Sequence, residues 1–131
     1  MLYAHPNKPK EVVPFKKGMG HVPSIWDDMI ISAKDIRKIT GWMTSNVVGL
    51  REVEIDLGPA NSATVGNLNL MNEVFFGGSP VLSLYGQGGR RVGFLLHELA
   101  HLASIKHDEE FELMMLRLIM VFEEHKKEIL S

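Results

Sequence analysis

Apolar residues recur at helical spacing in three stretches of the chain and alternate with polar ones between the first two. Ile36 and Ile39, extended by Trp42 or Met43, predict a helix over residues 33–43. Ser32 stands before it as N-cap with Asp35 three positions on, the spacing of a capping box, and Ile30 and Ile31 precede the cap as a hydrophobic staple would. Val53, Ile55 and Leu57 then alternate with Glu52, Glu54 and Asp56, which predicts a half-buried strand ended by Gly58 and Pro59. Residues 64–70 alternate more weakly and predict a second strand. Phe75 and Phe76 form a short apolar segment closed by Gly77, Gly78 and Pro80. Val81, Leu82, Leu84 and Tyr85 predict a third strand, with Gly86, Gly88 and Gly89 as the turn after it. A second helix starts near Arg90 and has Val92, Leu95, Leu96, Leu99 and Leu102 on its apolar side. A third covers residues 109–129. Asp108 is its N-cap, Phe111, Met114, Met115, Leu118, Ile119 and Phe122 are its buried face, and Lys126 and Lys127 suit its negative end.

The order is helix, about three strands, helix, helix, which predicts an α+β fold. The 131 residues are one domain's worth. Residues 1–25 hold Pro6, Pro9, Pro14 and Pro23 together with Gly18 and Gly20, and read as an extended arm with a short strand near 12–15. The domain proper is expected over 26–131, with the arm as a site for a protein partner.

Charge and cysteine content narrow the chemistry. The formal net charge is -2, from 14 basic and 16 acidic residues, which argues against nucleic acid as the partner. Lys8, Lys10, Lys16, Lys17, Lys34, Arg37 and Lys38 read as solvated cations. With no cysteine, disulfide frameworks, thiol nucleophiles and thiolate metal sites are excluded. No segment has the length and apolarity of a membrane span or the apolar region of a signal peptide, so a cytoplasmic protein is expected.

Polar chemistry enters the second helix only at His97, Glu98 and His101, in the pattern H-E-x-x-H. Side chains four apart on a helix lie one above the other, so two imidazoles at this spacing can grip one tetrahedral ion. Glu98 is turned about 100° from His97 and can reach a water rather than the ion. Two adjacent buried imidazoles with no ion between them would each need another polar partner.

The third ligand is open at this level. His107 reaches the pair only if the helix stops after His101 and the chain turns back. Ser104, Ile105 and Lys106 permit this, and Asp108 can cap a new helix. Glu112, Glu123 and Glu124 on the last helix are the alternatives, as in sites built from two His and one Glu. His107 is preferred.

The segment HELAHLASIKHDEEF, from His97 to Phe111, resembles the zincin metallopeptidases. It is most similar to minimal gluzincin-like metal-dependent hydrolases, which have a third His six residues after the second and a Phe four residues later. The resemblance implies zinc on His97, His101 and His107, with Glu98 as general base for peptide hydrolysis. It also implies an edge strand beside the active-site helix, placed at Val81–Tyr85, to which an extended substrate would add. Metzincins share the spacing but have glycine where this chain has Ser104. A further group of H-E-x-x-H peptidases follows the motif with an acidic helix, which would make Glu112 a ligand. Tyr85, Arg90, Arg91, His21 and His125 are candidates for the oxyanion donor or substrate contact. The competing reading is a non-catalytic metal-binding or structural protein of a larger assembly.

Overall fold

A computed structural model describes residues 2–4, 12–14, 20–59 and 61–131. Most of the expected arm lies outside these residues. Within it, β1 (Leu2–Ala4) pairs antiparallel with β2 (Val12–Pro14), which falls in the strand expected near 12–15.

Helix α1 (Ala33–Asn46) begins where its cap predicts, with Ser32 Oγ accepting from the Asp35 amide at 3.1 Å. It runs three residues past the expected end, because Gly41 lies on its exposed face, where the missing side chain costs no packing. Of the expected staple, Ile31 joins the core and Ile30 stays exposed. Strands β3 (Glu54–Asp56), β4 (Val65–Asn69) and β5 (Val81–Tyr85) form one mixed sheet in the order β3-β5-β4. β3 runs parallel to β5, with Ile55 opposite Leu82, and β4 runs antiparallel to it, with Leu68 opposite Leu82.

The expectation that Val81–Tyr85 is the edge strand is therefore overturned. β5 is the central strand because Leu82 and Leu84 are wholly buried, and a strand so apolar on its inner face is covered best between two neighbours. The edge strand that packs on the H-E-x-x-H helix is β4. A Cβ at Gly66 would lie 1.4 Å from a ring carbon of Phe94, so glycine there allows this close approach.

The apolar segment around Phe75 is a helix, α2 (Met71–Phe76). The Asn69 side chain accepts from the Met71 amide, and Gly77 ends the helix at φ 68°. No residue of α2 is buried. Arg51 holds it to the body of the domain. Its Nη2 donates to Glu73 Oε1 at 2.9 Å and its Nη1 to the Leu102 carbonyl at 3.1 Å.

After β5 comes a single helical turn, α3 (Gly86–Gly89), and then α4 (Val92–Ala100). The expected start near Arg90 moves to Val92, since Arg90 and its neighbours pair with residues 29–31 in extended form. Helix α5 (Glu109–Leu130) is capped by Asp108, whose Oδ1 accepts from the Phe111 amide at 3.1 Å. Every residue of α4 is buried. The core combines Ile36, Ile39 and Met43 of α1, Leu82 and Leu84 of β5, Leu95, Leu96 and Leu99 of α4, and Phe111, Met115, Leu118 and Phe122 of α5. Met114 belongs to this core as its spacing implies, whereas Met120 faces solvent. The result is an α+β domain with a small mixed sheet flanked by helices. Among the described residues, no helix is long and apolar enough to cross a membrane.

Candidate metal centre

One ring nitrogen from each of His97, His101 and His107 lies within 4.8 Å of the other two. His97 and His101 come together through helical spacing, with ring centroids 5.2 Å apart. His107 arrives because α4 stops. The amides of His101, Leu102 and Ala103 bond the carbonyls three residues back, a tightening that closes the helix. Ser104 Oγ then donates to Asp108 Oδ2 at 2.9 Å, so a side-chain bond stabilises the turn.

Phe111 supports the cluster from beneath. Its ring centroid is 4.7 Å from that of His97, 4.4 Å from His101 and 5.1 Å from His107. Gly20 packs against both His107 and the Phe111 ring. It has φ 77°, and a Cβ there would sit 2.7 Å from the His107 Cβ, so glycine is required on both counts.

One pair of the donor set has the spacing that a tetrahedral cation needs. His97 Nε2 and His107 Nε2 are 3.1 Å apart. Two nitrogens at about 2.0–2.1 Å from one zinc at tetrahedral angles would be roughly 3.3–3.4 Å apart. His101 Nδ1 is 3.0 Å from the Ser104 carbonyl, which can only accept, so Nδ1 holds the proton and Nε2 has its lone pair bare. Burial lowers the pKa of all three histidines, and most of all that of His97, where the neighbouring imidazoles of His101, His21 and His107 add to the effect. Neutral imidazole is the form that binds a metal.

Glu98 is 5% exposed, and burial pushes its pKa up to about 7. With His101 and His107 it lines a cleft of about 770 Å³. The remaining wall is mostly apolar and comes from β4 and α2, with Ile105 from the turn. Leu68, Leu70, Met71 and Val74 are its apolar side chains on that wall.

The other sequence candidates are placed elsewhere. Tyr85 donates its hydroxyl to Asp56 and is not among the residues lining this cleft. Glu112 borders a separate shallow hollow beside His107, and Glu123 accepts from Trp26 Nε1 at 3.2 Å. Neither is in the three-histidine group, nor is Glu124. Arg90 donates to the carbonyls of Leu57 and Gly58, Arg91 pairs with Asp28, and His125 bonds Glu128.

His21 is placed directly against the centre. Its Nδ1 is 3.3 Å from His97 Nδ1 and its Nε2 is 3.1 Å from Asp27 Oδ2. The side chains of His21 and Asp27 are 0% and 2% exposed. Burial lowers the His21 pKa, against an opposing pull from Asp27. No pattern in the sequence marks Asp27, and His21 is expected there only as an oxyanion candidate. A histidine next to glycine in a proline-containing stretch, followed six residues later by a carboxylate, was the one available signal. Comparison of the chain with protein-family models, curated proteins and solved structures finds no match.

Proposed function

We propose that the chain is a zinc-dependent peptidase of the zincin type, with His97, His101 and His107 as ligands and Glu98 as general base. The observation that carries this reading is that Glu98 lines one cleft together with His101 and His107, two of the three converging imidazoles. A bound zinc would supply Lewis-acid polarisation and a water of lowered pKa. Glu98 would take a proton from the attacking water and pass it to the departing amine. A carboxyl whose pKa lies near neutrality suits both halves of that exchange. Among the described residues one edge of β4 pairs with no strand; it would hold an extended polypeptide by strand addition, and the apolar wall of Met71, Val74 and Ile105 would favour a bulky apolar side chain near the scissile bond.

Elemental analysis of the purified protein should find about one zinc per chain. Glu98→Gln should keep the zinc and lose hydrolysis of an unstructured protein substrate by at least 100-fold, the lower range for a positioned base. No zinc uptake from zinc-containing buffer refutes the metal reading. Zinc uptake with no hydrolysis by the wild-type chain would favour the non-catalytic alternative.

A further inference from the structure

The contact between His97 and His21 fixes more than a position. Each neutral imidazole has one N–H and one bare nitrogen, so a row of them must be ordered head to tail. The row here begins at Asp27, a carboxylate that can only accept. His21 therefore donates from Nε2 to Asp27 Oδ2, across 3.1 Å. With its proton there, His21 Nδ1 is bare and accepts from His97 Nδ1, across 3.3 Å. His97 is then the Nδ1–H tautomer, and its Nε2 lone pair points at the cluster shared with His101 and His107. The order of the row is set from its carboxylate end and does not depend on an ion being bound.

Several features of the fold serve this row. The Ser24 amide donates to Asp27 Oδ2 at 3.1 Å, in a short turn that fixes the carboxylate. Asp27 Oδ1 is buried with no hydrogen-bond partner among the described residues. It lies against Gly93 in the first turn of α4, where a Cβ would come within 2.2 Å of it. The positive end of that helix favours a carboxylate there. The His21 and His97 rings are near parallel, with an interplanar angle of 27° and centroids 5.5 Å apart, as an edge-to-edge bond requires, and Gly20 beside His21 packs on His107. The segment from Gly20 to Asp27 thus contacts two of the three cluster histidines from behind.

We propose that His21 and Asp27 are positioning residues that hold His97 in the Nδ1–H tautomer and so present its Nε2 to a cation. The cation rests on the reading given under Proposed function, whereas the tautomer does not. Partners of this kind behind metal-binding histidines typically change affinity 10- to 100-fold.

The test uses the full chain, uniformly labelled with nitrogen-15 and stripped of metal, in long-range proton–nitrogen correlation spectra at neutral pH. Wild-type His97 should show a protonated Nδ1 and a bare Nε2. Asp27→Ala removes the acceptor for His21 Nε2, so His21 is free to hold its proton on either nitrogen, and should move His97 toward the Nε2–H form. His21→Phe keeps the ring but removes the acceptor and should do the same. Chelator competition with zinc alone should show affinity 10- to 100-fold lower in both variants. Asp27→Ala carries the test by itself if His21→Phe does not fold. A wild-type His97 found protonated at Nε2 overturns the proposal, and so does an Asp27→Ala protein that keeps both the wild-type tautomer and zinc affinity. If the wild-type chain takes up no zinc, the proposal falls in its cation half together with the metal reading. The His97 spectrum then decides the hydrogen-bond row separately.

Discussion

Glu98 shows most directly how a residue's surroundings set its chemistry. It lies on a helix with no exposed face, and burial alone raises its pKa to about 7. The same burial destabilises the metal-free protein. An acid whose pKa is higher in the folded chain than in the unfolded one contributes stability below the unfolded value of about 4.5, and that contribution is lost as pH rises through 7. A difference of this size is worth roughly 3 kcal/mol. In urea unfolding with chelator present, wild type should therefore lose stability between pH 5 and pH 8 relative to Glu98→Gln, by an amount of that order. Parallel profiles for the two proteins would show that the Glu98 carboxyl is not shifted. His107 is the most exposed of the three histidines, and its replacement by Ala should disturb the fold least. His107→Ala should lower zinc affinity by at least 100-fold, measured by chelator competition, whereas Glu112→Ala and Glu123→Ala should leave it within threefold. A larger loss in Glu112→Ala would return that glutamate to the ligand set.

At the scale of elements, the cleft depends on how β4 and α2 are held against α4. Gly66 lets β4 lie on Phe94. Gly66→Ala has no room for its methyl group and should destabilise the chain by about 1–3 kcal/mol, read as a lower urea midpoint. An unchanged midpoint would mean that the sheet and helix separate easily. α2 buries none of its residues and is tied down by the Arg51–Glu73 pair. The Arg51 guanidinium holds the Glu73 carboxyl below the usual carboxylate range. The pair's contribution is therefore present above pH 4.5 and is lost as pH falls through the lowered value. Glu73→Ala at pH 7 should speed hydrogen exchange in residues 71–76 while zinc binding stays as in wild type. Exchange unchanged from wild type would place the anchor of α2 elsewhere.

Across the whole molecule, the three-histidine cluster joins the end of α4 to the turn that starts α5, with the 20–27 segment behind it. A ligand that binds only the folded chain stabilises it by mass action, about 2.7 kcal/mol at a hundred times its Kd. For a chain of this size that corresponds to a rise of roughly 10 °C in Tm. Zinc should produce such a rise and chelator should reverse it, with no response in His107→Ala. A wild-type melting curve indifferent to zinc would count against a site formed only on folding.

The local pattern of the chain was enough to place α1, α4 and α5 and the break between the last two. Helical spacing, Ser32, Asp108 and the His97–His101 interval all act within a few residues, and the physics that reads them is equally short-ranged. The preference for His107 also rested on that local break, and the structure brings its ring to the other two. Tertiary structure alone decided the rest. Strand order depends on which neighbours cover Leu82 and Leu84, and periodicity within a strand does not carry that information. α2 is six residues long, too short for a helical period to show, and its Phe75 and Phe76 face solvent where apolar residues are expected inside. His21 meets His97 across 76 residues of sequence, and Asp27 fits only because Gly93 lacks a side chain. Spacing along one helix could bring two imidazoles together. The ordering of their protons depends on a carboxylate that only the folded chain brings within reach.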